Sequence, residues 1–240
     1  MTPLDLGRLR GSWPGRAVDY YTTIGSTMDA AAGRALGAIV IAEEQTAGQG
    51  RHGHSWHSEA GSGVYLSIVL EPVPQLTLAL GLATAEAITS ATSVACDLRW
   101  PNDVMVGGRK VAGVLVKLVD GAAIAGIGIN VNHTAFPSEL ADLATSLRLH
   151  AGREFERMDI LLALIPALDY WAQAGSEAIL RRFEKASSYV AGKRVTVDQS
   201  DGSIIEGTTS GLDPSGFLIL RRDDGTDTLI LAGGVRAAGT

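Results

Sequence analysis

One cysteine, Cys96, stands in 240 residues, so no disulfide can close within the chain. No cationic cluster adjoins it to stabilise a thiolate, and it reads as a packed structural thiol rather than a nucleophile. Basic charge is also short. Twenty Lys and Arg face 26 Asp and Glu, a net charge of −6, which leaves no broad basic face for a phosphate backbone and argues against DNA as a partner. No apolar run is long enough to cross a bilayer, and the segment Met1 to Arg10 lacks the apolar core of a signal peptide. These absences predict a soluble cytoplasmic protein with no membrane partner. The glycines near position 50 are not followed by Gly-Lys-Ser/Thr, so they form no P-loop. His52 and His54 have no ligand-spaced partner in the nearby sequence, so no metal site is expected of them.

What is present is 46% hydrophobic and ample for a core. Thr23 to Ala35 reads as a loop entering a helix, with Ser26-Thr27-Met28-Asp29 at capping-box spacing. Ala38–Ala42 is a buried strand, and Glu44–Gly63 a loop. Alternation of Val64, Leu66, Ile68 and Leu70 predicts a half-buried strand. Gln75–Ala95 is a core helix. A short strand at Leu98–Trp100 precedes a loop at Pro101–Gly108, then strands at Lys110–Val119 and Ala122–Val131 with a hairpin turn at Gly121. Helices follow at Arg157–Ala172, kinked or delayed by Pro166, and at Glu177–Tyr189. After Gly192, short strands around Val195, Ile204, Phe217–Leu220 and Thr228–Leu231 are punctuated by Asp201-Gly202, Asp213-Pro214, Ser215-Gly216 and Asp224-Gly225. That texture suggests a small SH3-like barrel packed against the rest. Residues 1–190 and 191–240 are therefore the expected domains.

Three segments can carry chemistry. In the loop from Glu43 to Trp56, closely spaced glycines let backbone N–H groups approach an anion, and Arg51 adds a permanent planar cation. Taken alone, such a loop reads more readily as a surface connection whose glycines only turn the chain. In Trp100-Pro101-Asn102-Asp103 through Lys110-Val111-Ala112-Gly113, a lysine interrupts an apolar strand beside two small residues that leave room for a ligand. In Gly126-Ile127-Gly128-Ile129-Asn130, alternate glycines in a strand suggest close approach of a ligand or another backbone.

Together with Gly25-Ser26-Thr27, these segments resemble, in order and spacing, the catalytic core of biotin protein ligases. The resemblance covers about residues 18–240. It implies an α+β domain like that of class II aminoacyl-tRNA synthetases, a mixed sheet backed by helices, followed by a small SH3-like β-barrel. It implies ATP-dependent activation of biotin and transfer to a lysine of a biotin carboxyl carrier protein, with ATP and Mg²⁺ as cofactors and a homodimer as a potential assembly. The segment ahead of Gly25 is too short for the family's winged-helix domain, so the enzyme-only form is expected.

By that resemblance Ser26, Thr27 and Gln45 hydrogen-bond the ureido ring, Gly48 and Gly50 lie against biotin and phosphate, and Trp56 walls the site. Arg51 holds the phosphate and Lys110 bridges the biotin carboxylate and the α-phosphate. Gly113 and Gly126 give room, and Asn130 contacts adenine. Asn102 and Asp103 serve the nucleotide, Mg²⁺ or the incoming lysine, whose proton Asp103 is suited to accept. Arg236 reaches back toward the nucleotide. One departure is Gln49, where the family loop carries its first arginine; between two glycines it is expected to act through its backbone. A lipoate or octanoate ligase shares the fold, but an acyl chain offers nothing to Ser26, Thr27 and Gln45. A non-catalytic biotin sensor needs neither Arg51 nor Lys110.

Overall fold

Ile39-Val40-Ile41-Ala42 are buried on both sides, as β-branched residues in a covered sheet should be, and form β2 (Ile39–Ala42). In the computed structural model, which describes residues 3–198 and 203–238, β2 lies in a seven-stranded sheet. The other strands are β1 (Val18–Tyr21), β3 (Gly63–Leu70), β4 (Asp97–Arg99), β5 (Asp103–Val106), β6 (Arg109–Val119) and β7 (Ala122–Asn130). Their order is β1-β2-β3-β7-β6-β5-β4; β1 pairs parallel to β2 and every other pair is antiparallel. The hairpin from β6 to β7 turns at Asp120 and Gly121, at φ 50° and 84°, the left-handed pair a tight hairpin requires.

Two helices, α3 (Leu76–Thr92) and α5 (Arg157–Ala172), cover one face, where Leu66, Ile68, Ile127 and Ile129 join Leu80, Ile88 and Leu164 in the main core. The short α2 (Thr27–Ala31) covers part of the other, packing Met28 and Ala31 on Val40, Val69 and Ile124. Because both faces are covered, β3 is buried from Gly63 to Val69 and is not the half-exposed strand that its alternation predicts.

Other departures have local causes. Helix α2 ends at Ala31, ahead of Gly33 at φ 74°, and Ser26 caps it by accepting from Met28 N with no return bond from Asp29. The elements α1 (Leu6–Ser12) and β1 precede anything foreseen, and β5 occupies the expected loop at Pro101–Gly108, after a cis Trp100–Pro101 bond. Helix α4 (Leu147–Ala151) follows β7, and α5 runs unbroken through Pro166. Helix α6 (Ser176–Ala186) stops short of Tyr189 because Ser187 Oγ turns to the Leu98 carbonyl (2.6 Å) and Ser188 to Asp97. Cys96 sits between α3 and β4, and burial pushes its thiol up to about 12, as suits a structural thiol.

The C-terminal strands β8 (Ala191–Asp198), β9 (Ile204–Leu212), β10 (Leu218–Arg221), β11 (Asp227–Ile230) and β12 (Gly234–Ala237) form a five-stranded antiparallel sheet in the order β11-β10-β9-β8-β12. The turn expected at Asp201-Gly202 lies outside the described residues. Val195, Leu218 and Ile230 join the main core, and Trp100 Nε1 donates to the Gly216 carbonyl (2.9 Å), so this sheet packs on the larger unit as expected. Among the described residues no helix is long and apolar enough to cross a membrane.

Candidate active site

Period-two alternation divides β7 between two faces. Ile127 and Ile129 enter the helix-covered core, while Gly126 and Gly128 face α2 and the glycine-rich loop. Gly113 of β6 pairs with Gly128. A Cβ on Gly128 would stand 2.4 Å from the Trp56 ring, one on Gly113 2.9 Å from Lys110 Cε, and one on Gly126 2.9 Å from Met28 Sδ. The glycines thus form a floor onto which Trp56, Lys110 and Met28 settle, and Lys110 Nζ lies 5.2 Å from the Trp56 ring centroid.

The loop above this floor is a tight hairpin. Trp56 N donates to Gly48 O (2.8 Å) and Gly50 N to His54 O (2.7 Å). A Cβ on Gly48 would meet the Trp56 carbonyl at 2.6 Å, so that glycine serves the hairpin. Gln49 departs from the backbone role expected of it. Its Nε2 donates to both carboxylate oxygens of Asp29 (2.9 and 3.0 Å), and its Oε1 accepts from Lys117 Nζ (2.5 Å), bridging α2 to β6.

Thr27, Gln45, Gly50, Arg51, Trp56, Asn102, Lys110, Gly113 and Gly126, nine of the residues singled out in the sequence, meet at one cavity. With Trp56 seated on the glycines its free volume is about 40 Å³, enough for a few waters. Gln45 Oε1 accepts from Thr27 N and Thr27 Oγ1 (2.9 and 3.0 Å), and Gln45 Nε2 donates to Ser58 Oγ (3.0 Å). Two cations, Arg51 and Lys110, share the lining.

Arg51 is partly buried, and its Nη1 donates only to neutral acceptors, Asn102 Oδ1 (3.1 Å) and the Gly233 carbonyl (3.3 Å). Burial lowers its pKa, opposed by the charge of Asp103. Among the described residues no carboxylate lies within ion-pair distance of Arg51, so it is a desolvated cation oriented for an anion. Lys110 is instead paired to Asp103 Oδ1 (2.5 Å). Burial alone would raise the Asp103 pKa, but the charges and bonds of Lys110 and Arg99 outweigh it and hold the carboxyl below its usual range.

Five expected site residues lie outside the cavity lining. Ser26 Oγ accepts from Met28 N at the α2 cap, and Gly48 O accepts from Trp56 N in the hairpin. Asp103 sits behind Lys110, buried between two cations, and so weak a base is poorly suited to take a proton. Asn130 Nδ2 donates to the Thr145 carbonyl (3.2 Å), which tethers a following loop. Arg236 is exposed on β12 and paired with Asp198 (3.0 Å). Conversely, Met28 and Gly128, given no role from the sequence, line the cavity, as does Gln49, foreseen only through its backbone. The glycine alternation in β7 carried the clue to Gly128; nothing local pointed to Met28.

Known proteins match this arrangement. The model of the biotin/lipoate A/B protein ligase family matches residues 30–133, and that of the biotin protein ligase C-terminal domain matches residues 190–235. The biotin–[acetyl-CoA-carboxylase] ligase of Mycobacterium tuberculosis is 32% identical, over 97% of this chain and 94% of its own. The bifunctional ligase/repressor BirA of Bacillus subtilis is 33% identical over 79% of this chain, and the match spans only 63% of its length. The structure of Aquifex aeolicus biotin protein ligase in complex with biotin and ATP superposes with a TM-score of 0.84, at 29% identity over 92% of this chain and 99% of that one. The glycine floor, the hairpin above it and the C-terminal sheet are parts of one family's architecture, and this chain belongs to the biotin protein ligase family.

Proposed function

We propose that the protein activates biotin with ATP and transfers it to a lysine of a biotin carboxyl carrier protein. The observation that carries this reading is the make-up of the cavity lining: amide and hydroxyl groups suited to a ureido ring at Thr27 and Gln45, together with two cations, Arg51 and Lys110. In the first step the biotin carboxylate oxygen attacks the α-phosphorus of ATP and pyrophosphate leaves. Two anions must meet, so positive charge fixed in advance lowers the barrier. Arg51, without an anionic partner, is the phosphate-holding group, and Lys110 moves from Asp103 to the developing charge. Asp103 is a positioning residue that keeps Lys110 aimed across the floor. In the second step the carrier amine attacks the acyl carbon and AMP leaves with the bonding electron pair.

The donor set fits Mg²⁺ carried on phosphate. The carboxylate beside the cavity is already shared by Lys110 and Arg99, so the ion's ligands would be phosphate oxygens and water, where it offsets phosphate charge. In this reading residues 1–190 bind biotin and ATP and residues 191–240 form the smaller barrel, and a single cysteine suits a cytoplasmic enzyme. Pyrophosphate release in a single turnover should require biotin, with lipoate or octanoate giving less than about one hundredth of the rate, since neither offers a ureido ring to Thr27 and Gln45. Equal rates with all three acids would overturn the assignment.

In this reading biotin lies along the floor of Gly113 and Gly128, and Trp56, now seated on it, shifts when biotin enters. Gly128→Ala places a methyl on that floor. It should weaken biotin binding by at least about tenfold, roughly 1.4 kcal/mol, by calorimetric titration. A dissociation constant within twofold of the parent would place the ligand elsewhere.

Because Gln49 already bridges Asp29 and Lys117, an arginine there keeps the acidic partner and meets Lys117 as a like charge. Gln49→Arg should change biotinyl-adenylate release by less than about tenfold, or 1.4 kcal/mol. Stopped-flow displacement measures this, and a larger slowing would mean that the guanidinium itself grips the nucleotide.

A further inference from the structure

Where the glycine-rich loop re-enters the sheet, pairing of β3 with β7 brings residues 57–62 beside residues 130–133. Gly63 pairs with Asn130, and Val131 N and Asn132 N both donate to Ser62 O (3.2 and 2.6 Å). This register gathers His57, Glu59 and His133, and one ligand atom from each lies within 4.8 Å of the others.

His133 is fully buried, and its ring is prepared for coordination. The Tyr65 hydroxyl donates to the Glu59 carbonyl (3.0 Å), so its lone pair receives the His133 Nε2 proton (3.1 Å). That fixes the tautomer and leaves Nδ1 as a bare lone pair with no hydrogen-bond partner. Phe136 stacks on the ring with centroids 5.1 Å apart, and Ser146 Oγ holds the His133 carbonyl (2.7 Å). An outer partner on Nε2 and an orphaned, buried Nδ1 are what an imidazole metal ligand requires.

We propose that His57, Glu59 and His133 bind a zinc-class divalent ion, His133 through Nδ1, and that this ion clamps the end of the glycine-rich loop to the end of β7. Two imidazoles and one carboxylate suit Zn²⁺ or Co²⁺ and suit Mg²⁺ poorly. The ion lies apart from the cavity but grips the stretch Trp56-His57-Ser58, in which Trp56 covers the glycine floor and Ser58 holds Gln45. Its occupancy therefore sets how readily Trp56 leaves the floor.

The test titrates tag-free protein with Co²⁺, read by visible absorption, and with Zn²⁺ in competition. The parent should bind one ion and show a tetrahedral cobalt band. His57→Ala, at a partly exposed position, should weaken binding at least about 100-fold, and Tyr65→Phe, which removes the outer partner of His133 together with the bond to the Glu59 carbonyl, about 10–100-fold. Zinc should slow hydrogen exchange across residues 56–62 in the parent and not in His57→Ala. No cobalt band in the parent, or equal affinity in the parent and His57→Ala, would overturn the proposal.

Discussion

Lys110→Ala is expected to fold and to form biotinyl-adenylate about 10²–10³-fold more slowly than the parent. The range is that for loss of one preorganised electrostatic contact. The fold should survive because Asp103, though buried, keeps both guanidinium bonds from Arg99 (3.2 and 2.7 Å). The rate should fall because the other cation lining the cavity, Arg51, is held by its own bonds to Asn102 and Gly233. Lys110→Arg should recover little, since the Lys110 stem already crosses Gly113 at 2.9 Å from where a Cβ would stand, leaving no space for a planar fork. Quenched-flow measurement of adenylate under single-turnover conditions decides this. A rate within threefold of the parent would remove Lys110 from the chemistry.

The largest stability effect should come from Arg157→Ala. Arg157 and Glu43 form a buried pair at 2.6 Å, and Glu43 also accepts from Leu4 N (2.8 Å) and Tyr20 Oη (2.9 Å), so one carboxylate ties α5, β1 and the N-terminal segment together. Removing the cation strands a buried charge, at a cost of about 3–5 kcal/mol. At roughly 2–4 °C per kcal/mol for a chain of this size, Tm should fall by about 10 °C. The pH dependence has a definite sign. Burial disfavours ionised Glu43, but the Arg157 bond and the other donors outweigh it and hold its folded pKa below the unfolded value. In the parent the pair therefore stabilises above the unfolded carboxyl range and is lost as pH falls through the folded pKa. In the variant burial acts unopposed by Arg157, so protonation relieves the fold and the Tm gap should narrow below about pH 5. A calorimetric Tm loss under 3 °C at neutral pH, or a gap that widens in acid, would contradict this account.

How much of this was legible in the chain depends on the range of the interactions. The long Ala- and Leu-rich apolar run of α3 and the Gly121 turn are written locally; the turn stands where the sequence puts it, and the helix ends at Thr92, three residues before Ala95. The alternation in β3 was read as one wet face, because nothing in residues 63–70 reveals that α2 covers the second. Asn102 and Lys110 were visible as polar groups in apolar company, and both reach the cavity. Asn130 lies outside that lining, and its amide donates to the Thr145 carbonyl, a partner fifteen positions away that no motif announces. The His57–Glu59–His133 group exists only through the pairing of β3 with β7, so spacing along the chain hid it.

The central claim is tested most directly by intact-mass analysis of a biotin carboxyl carrier domain incubated with ATP, biotin and this protein. The account predicts one biotinyl group per carrier, on a single lysine, absent without ATP and about 10²–10³-fold slower to appear with Lys110→Ala. A carrier mass unchanged while the protein still binds biotin would contradict it and leave a biotin-binding protein without the transfer.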